Sequence, residues 1–129
     1  MIEDVGGVTS QLVSIALDAA KLRHEVIANN IANVNTPGFY AKRMQFEELL
    51  SGALDRYLNN EEGIDRTQLD LIKEKVEDGA GLIFSTSHLV ELDQEMIRLA
   101  ENTLRYEAII KANGKRGDII KMAVNEGKR

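Results

Sequence analysis

A chain of 129 residues with six aromatics, no tryptophan and a net charge of −5 has the length of one domain and too little aromatic bulk for a large conventional core, so burial falls to Leu, Ile, Val and Ala. It contains no cysteine, which excludes disulfides and thiolate metal sites. No apolar run approaches the roughly 18 residues of a membrane span, and no charged n-region precedes an apolar h-region, so the sequence by itself reads as neither spanning nor led by a cleaved signal, and cytoplasmic.

Residues 1–9 contain Gly6 and Gly7 and read as a flexible tip, with Thr9 or Ser10 as the N-cap of a first helix over residues 10–35. Leu12, Ile15, Ala19, Leu22 and Val26 follow the 3-4 spacing of a coiled-coil seam. Val13, Leu17, Ala20, Ile27 and Ile31 form a second stripe beside it. One partner helix would not cover both.

The helix runs into Ala28-Asn29-Asn30-Ile31-Ala32-Asn33-Val34-Asn35-Thr36-Pro37-Gly38-Phe39-Tyr40. Pro37 disfavours the helical region at Thr36, and Gly38 suits the positive φ at the third position of a type II turn, so the helix stops near Asn35. Asn33 and Asn35 suit local capping. Asn29 and Asn33, four apart, share a helix face. Capping alone accounts poorly for four asparagines in seven positions, so contact of Asn29, Asn30 or Asn33 with a partner stands beside it, since helix propensity does not explain them.

Phe46 and Leu50 share one face of a short helix that frays near Gly52 or continues to Leu58, and residues 59–63 form a loop. Packing against the first helix is the simple reading of Phe46. Leu69, Ile72 and Val76 suggest a helical turn or two, ended by Gly79 and Gly81, and Leu82-Ile83-Phe84 a short strand.

The final helix, residues 89–129, is the clearest element. Leu92, Met96, Leu99, Thr103, Tyr106, Ile110, Asn113, Gly117, Ile120 and Val124 alternate 4-3, and from Leu89 to Asn125 a helix would be roughly 55 Å long, too long for a compact small domain. Asn113 would set register within that seam. Gly117 permits close helix approach or, like Gly114, marks a fraying tail.

Charge is unevenly distributed. Residues 1–43 carry four acids and four bases, residues 44–101 fourteen and five, and residues 102–129 three and seven. The basic tail reads as a solvated face complementing the helix dipole, because no aromatic platform interleaves its charges as nucleic-acid binding would want. Acidic middles and basic tails would complement one another in a stacked assembly.

Chemistry-bearing constellations are sparse. His24 and His88 stand alone, without ligand-spaced carboxylates or a Gly-rich loop after a strand. Glu91, Asp93 and Glu95 alternate, spread around a helix, and read as N-terminal dipole partners. The chain is not expected to be an enzyme, nor to hold a metal or cofactor.

Residues 28–39 match, over twelve consecutive positions, the segment that axial proteins of the bacterial flagellum place at the end of their first helix, and the chain resembles that family of rod, hook and hook-filament junction subunits. Val90 to Ala108, with Leu99-Ala100, Asn102, Leu104, Tyr106 and Ala108, resembles the C-terminal helix of its proximal rod members. The short length agrees, since distal rod and hook members carry large β-rich insertions. The resemblance covers about residues 10–50 and 90–124. It departs from the pattern before Val90, where Phe84 to Leu89 replaces an expected Asp-Gly-Asn.

The resemblance implies a mainly α structural subunit whose terminal helices form a coiled-coil hairpin around a variable middle. Such a subunit packs against copies of itself in the rod of the basal body, crossing the periplasm and transmitting torque. The implied assembly residues are Asn29, Asn30, Asn33, Asn35, Thr36, Pro37, Gly38 and Phe39, with Leu12, Ile15, Ala19, Leu22, Val26, Leu92, Met96, Leu99, Thr103, Tyr106 and Ile110 in the seams. The implied partners are the rod protein FlgC, the rod-base adaptor FliE, the membrane-ring protein and the flagellar export gate. Phe46 and Leu50 resemble the short signal by which early flagellar substrates engage that gate, through which such subunits leave the cell without a cleaved signal. The competing readings are a soluble coiled-coil adaptor or export chaperone that binds one partner helix, and a membrane-surface helix, the latter weakened by Asp18, Glu25 and the acidic total.

Overall fold

The computed structural model describes residues 2–46, 48–49, 66–79 and 81–127. Their elements run α1 (Ile2–Ala32), β1 (Tyr40–Met44), α2 (Arg66–Asp78), β2 (Ile83–Leu89) and α3 (Leu92–Gly127). The fold is mainly helical. The long terminal helices pack together, and a two-stranded antiparallel sheet lies between them in sequence.

Helix α1 begins at Ile2, so the expected tip over residues 1–9 and the cap at Thr9 or Ser10 are corrected. Each glycine costs a helix about 1 kcal/mol relative to alanine, and extending a formed helix adds a backbone hydrogen bond per residue, so two glycines need not end it. At its other end the last helical residue is Ala32. The Asn33 N–H is shared between the carbonyls of Asn29 (3.2 Å) and Asn30 (3.1 Å), and the Val34 N–H reaches Ile31 O at 3.2 Å, a tightening typical of a last turn.

The two apolar stripes of α1 face different elements. Ile15 and Ala19 lie in a core cluster with Met44, Phe46, Leu69, Ile72, Val76 and Leu82, against which Leu12, Leu22 and Leu49 pack. The first stripe, expected at an assembly seam, is therefore core inside the chain. The physical reason is α2, whose Leu69, Ile72 and Val76 recur at 3-4 spacing and need an apolar face to cover them. Phe46 is helical and buried in the same cluster, as the packing reading anticipates. Leu50 and the expected helix and loop over residues 50–63 lie outside the described residues.

Helix α2 ends at Gly79, whose φ of +69° and N–H bond to Lys75 O (2.9 Å) form a left-handed C-cap. Strand β2 then pairs with β1 through Met44↔Ile83, Arg43↔Phe84 and Lys42↔Ser85, after which the register shifts to Tyr40↔Leu89. The Thr86 hydroxyl sits at that shift, donating to Ala41 O (2.8 Å) and accepting the His88 N–H (3.3 Å). The expected strand over residues 82–84 is the start of β2. Strand β1 was not anticipated, because Tyr40 to Met44 has no clear alternation of apolar and polar residues.

Helix α3 runs antiparallel to α1 and spans roughly 54 Å without a break. The helix continues through Gly114 and Gly117 to Gly127, and nothing lies within 4 Å of a Cβ placed on Gly114, so that glycine makes no close helix contact.

The expected seam of α3 is offset by about one residue from the face that meets α1. Glu95 and Asn102 are buried, and Leu99, Ile109 and Arg116 half-buried, a run spaced 4, 3, 7 and 7 residues apart on one helix face. Leu92, Met96, Thr103, Tyr106, Ile110 and Asn113 are exposed. Polar anchors hold α3 in this rotation: Asn102 Nδ2 donates to Ala20 O at 2.8 Å and Glu95 meets Asn30 at 3.2 Å. Among the described residues only Leu99 belongs to both faces.

Candidate assembly surface

The turn after α1 is built as its residues dictate. The Phe39 N–H donates to Thr36 O (3.2 Å) across Pro37 and Gly38, and Gly38 has φ +73°, the geometry of a type II turn. Asn33 braces it: its Nδ2 donates to Asn29 O (2.8 Å) and Oδ1 (3.2 Å), while its Oδ1 accepts the Thr36 hydroxyl at 3.1 Å. Asn29 and Asn33 thus serve local capping. Asn35 is exposed at the turn.

Asn30 has a different task. It is fully buried, and its carboxamide pairs with both main-chain groups of Lys42: Oδ1 accepts the Lys42 N–H at 2.9 Å and Nδ2 donates to Lys42 O at 3.0 Å. It therefore acts as a third strand for one residue of β1. The same Nδ2 reaches Glu95 Oε2 at 3.2 Å.

Glu95, also fully buried, is ion-paired through Oε1 with Arg43 Nη2 at 2.6 Å. Arg43 Nη1 closes the network on Lys42 O at 2.9 Å. Each carboxylate oxygen has a donor, the condition under which a buried charge is tolerated. Glu95 is thus no mere dipole partner, and this corrects its reading alongside Glu91 and Asp93, both of which are exposed. The network ties α1, β1 and α3 together at the closed end of the hairpin. Sequence reasoning missed Arg43 and Glu95; the one available signal was an acid beside an apolar stripe, followed seven residues later by Asn102 at the same helix angle.

Outside that network, α3 presents Leu92, Met96, Ile97, Leu104, Tyr106 and Ile110 to solvent, each at least 40 % exposed. Tyr40 and Leu89, cross-strand partners at the sheet end nearest α3, and Phe84 are exposed too. Leu92, Met96, Tyr106 and Ile110 fall on one side of the helix at about 100° per residue, and such an exposed apolar stripe marks an interaction face. Of the expected site residues, the structure therefore gathers Asn30 into a buried bracket, keeps Asn29, Asn33, Thr36, Pro37 and Gly38 at the turn, and leaves the α3 stripe uncovered. Among the described residues no group of three or more His, Cys, Asp or Glu is placed to hold a metal ion, and no helix is long and apolar enough to cross a membrane.

Comparison with known proteins places these features in context. Residues 14–39 match the family model described as flagella basal body rod protein. The chain is similar to the flagellar basal body rod protein FlgB of Bacillus subtilis (strain 168), 30% identical over 123 residues that cover 93% of this chain and 95% of that protein. It is similar to FlgB of Proteus mirabilis (strain HI4320), 28% identical over 72% of this chain and 76% of that protein. It is also similar to FlgB of Borrelia hermsii, 31% identical over 70% of this chain and 76% of that protein. No solved structure matches the chain significantly.

Proposed function

The chain belongs to the FlgB family of flagellar basal body rod proteins, and from that premise we propose that it is a structural subunit of the proximal rod, polymerising through its terminal helices to carry torque for motility. The observation that carries this reading is the exposed apolar stripe of α3. The chain's own core is closed by α1, α2 and Met44 without it, so the stripe is left for a neighbour. Burial of such a face in a repeating contact stabilises by about 25 cal/mol per Å² of apolar area removed from water, and closely packed seams repeated along an axis give stiffness.

In this reading the subunit crosses the periplasm within the rod, beside FlgC and FliE and above the membrane-ring protein, and reaches its place through the flagellar export gate without a cleaved signal. Phe46 is buried in the folded chain, so an export signal made of Phe46 and Leu50 is read from the chain before it folds. The family is one of rod proteins and not of enzymes, and the surface described offers helix faces in place of a catalytic pocket.

The test is genetic and biochemical. Deleting the gene should abolish swimming, and a tagged copy should restore it and co-purify with basal bodies. A tagged copy that restores swimming yet is missing from purified basal bodies would overturn the reading in favour of a soluble adaptor.

A further inference from the structure

A cleft of about 260 Å³ between α1, β1 and α3 is lined by Arg23, Lys42, Arg43, Arg98 and Arg105, with Glu101 as its one carboxylate. Arg43 is paired with Glu95, and Arg23 and Arg105 also engage partners; the lining as a whole holds five basic side chains against one carboxylate among its described residues. The cleft floor includes Asn102, whose Oδ1 is buried without a hydrogen-bond partner while its Nδ2 is bonded to Ala20 O.

A second groove, between α1 and α2, has the opposite character. Asp18, Glu25 and Glu77 line it together with Lys21, Leu22 and Val76, and Glu74 and Asp78 are exposed near it on α2. At about 100° per residue, Arg23 lies roughly 140–160° around α1 from Asp18 and Glu25. The basic cleft and the acidic groove are therefore on opposite sides of one helix.

We propose that the basic cleft of one copy receives the acidic α1/α2 groove of a second copy of this chain, a head-to-tail contact that repeats along the assembly. Two complementary surfaces on opposite sides of a subunit make a heterologous interface, and such an interface propagates as an open helix when its rotation does not close. The charges set partner orientation and register, while the apolar stripe of α3 supplies buried area. Arg98 and Arg105 are seven residues apart on α3, roughly 10 Å along its axis, and both are exposed. Asp18 and Glu25 have the same separation on α1. Cations and carboxylates thus repeat at matching intervals on the two faces. The inference rests on the rod-subunit reading.

Charge reversal in a strain carrying the tagged chain tests it. Arg98→Glu with Arg105→Glu should reduce the chain recovered in purified basal bodies by at least about tenfold, as losing and then opposing two interfacial charge pairs would, and Glu25→Arg with Glu77→Arg should do the same. Combining all four substitutions in one chain should restore recovery to within about threefold of the unaltered chain, because every copy then carries two reversed and complementary faces. Thermal melting of each purified variant separates misfolding from loss of contact, and the combined variant must recover assembly even if a partial one is less stable. Reversal of the cleft without effect would overturn the proposal. A defect on the cleft side alone, not relieved by the combination, would mean that another protein occupies the cleft and would overturn it equally. If the unaltered chain is itself missing from basal bodies, the rod-subunit reading fails first, which separates the two.

Discussion

Asn30 Nδ2 lies 3.2 Å from Glu95 Oε2, joining the last turn of α1 to the first turns of α3 across 65 residues of sequence. The same carboxamide holds both main-chain groups of Lys42. One side chain thus fixes where the strand leaves the turn and how α3 is rotated against α1. Replacing Asn30 by Ala strands the Lys42 N–H and one Glu95 oxygen, and should cost about 3 kcal/mol in a urea unfolding experiment. Asn30→Asp should cost more, since it sets a second carboxylate against Glu95.

The Arg43–Glu95 pair should behave as a buried pair and not as a surface one. Glu95→Ala takes the acceptor from Arg43 Nη2 and one of the two acceptors from Asn30 Nδ2, leaving both side chains bonded to Lys42 O alone, and a loss of about 3 kcal/mol is expected. Arg43→Ala should cost at least as much, because it leaves the fully buried Glu95 carboxylate without its cation, whereas the partly exposed Arg43 left by Glu95→Ala can reach water. A double-mutant cycle should return a coupling of at least about 1 kcal/mol. Additivity of the two substitutions would contradict the network.

Gly38 and Gly81 make a controlled comparison. Neither has anything within 4 Å of an added Cβ, but Gly38 has φ +73° whereas Gly81 does not lie in the left-handed region. Gly38→Ala should destabilise by about 1–2 kcal/mol through backbone strain alone. Gly81→Ala should change stability by less than about 0.5 kcal/mol. Equal melting temperatures for the two variants would show that the type II turn does not constrain the chain.

Much of this architecture is legible in the sequence, for reasons that are local. The Thr-Pro-Gly-Phe turn follows from the fixed φ of Pro37 and the freedom of Gly38, and the length of α3 from its sustained 4-3 spacing. What was not legible depends on partners distant in sequence. The stripe from Leu12 to Val26 looked like an assembly seam because periodicity reports that a face is buried and not by what; α2 covers it from Leu12 to Leu22, and Val26 lines the cleft toward α3. The α3 stripe was assigned to the hairpin because the most apolar face is the natural choice, yet Glu95 and Asn102 turn inward once Asn30, Arg43 and the Ala20 carbonyl supply their bonds. Asn30 was expected at a contact with a neighbouring chain, and its carboxamide instead bonds Lys42 and Glu95 of its own chain.

Substitution on the exposed stripe should separate folding from assembly. Met96 and Ile110 are 51% and 46% exposed, so Met96→Asp and Ile110→Asp should each change monomer stability by less than about 1 kcal/mol. Both should nevertheless abolish swimming, since a carboxylate buried unpaired in the rod costs several kcal/mol per contact. Swimming cells carrying either substitution, with the chain present in their basal bodies, would remove the stripe from the assembly interface.

Amide exchange should report the same face. Residues 111–115 are exposed in the isolated chain, and their amides are expected to exchange faster than those near Leu99 and Asn102, slowing on assembly. Strong protection over residues 111–125 in a verified monomer would count against ordering on assembly.

The central claim is that α3 buries its apolar stripe against neighbouring copies in the rod, and a density map of the intact basal body tests it most directly. The account predicts copies of this chain in the proximal rod with Leu92, Met96, Tyr106 and Ile110 packed on an adjacent subunit. Copies whose stripe faces solvent or the central channel, or a proximal rod built without this chain, would contradict it.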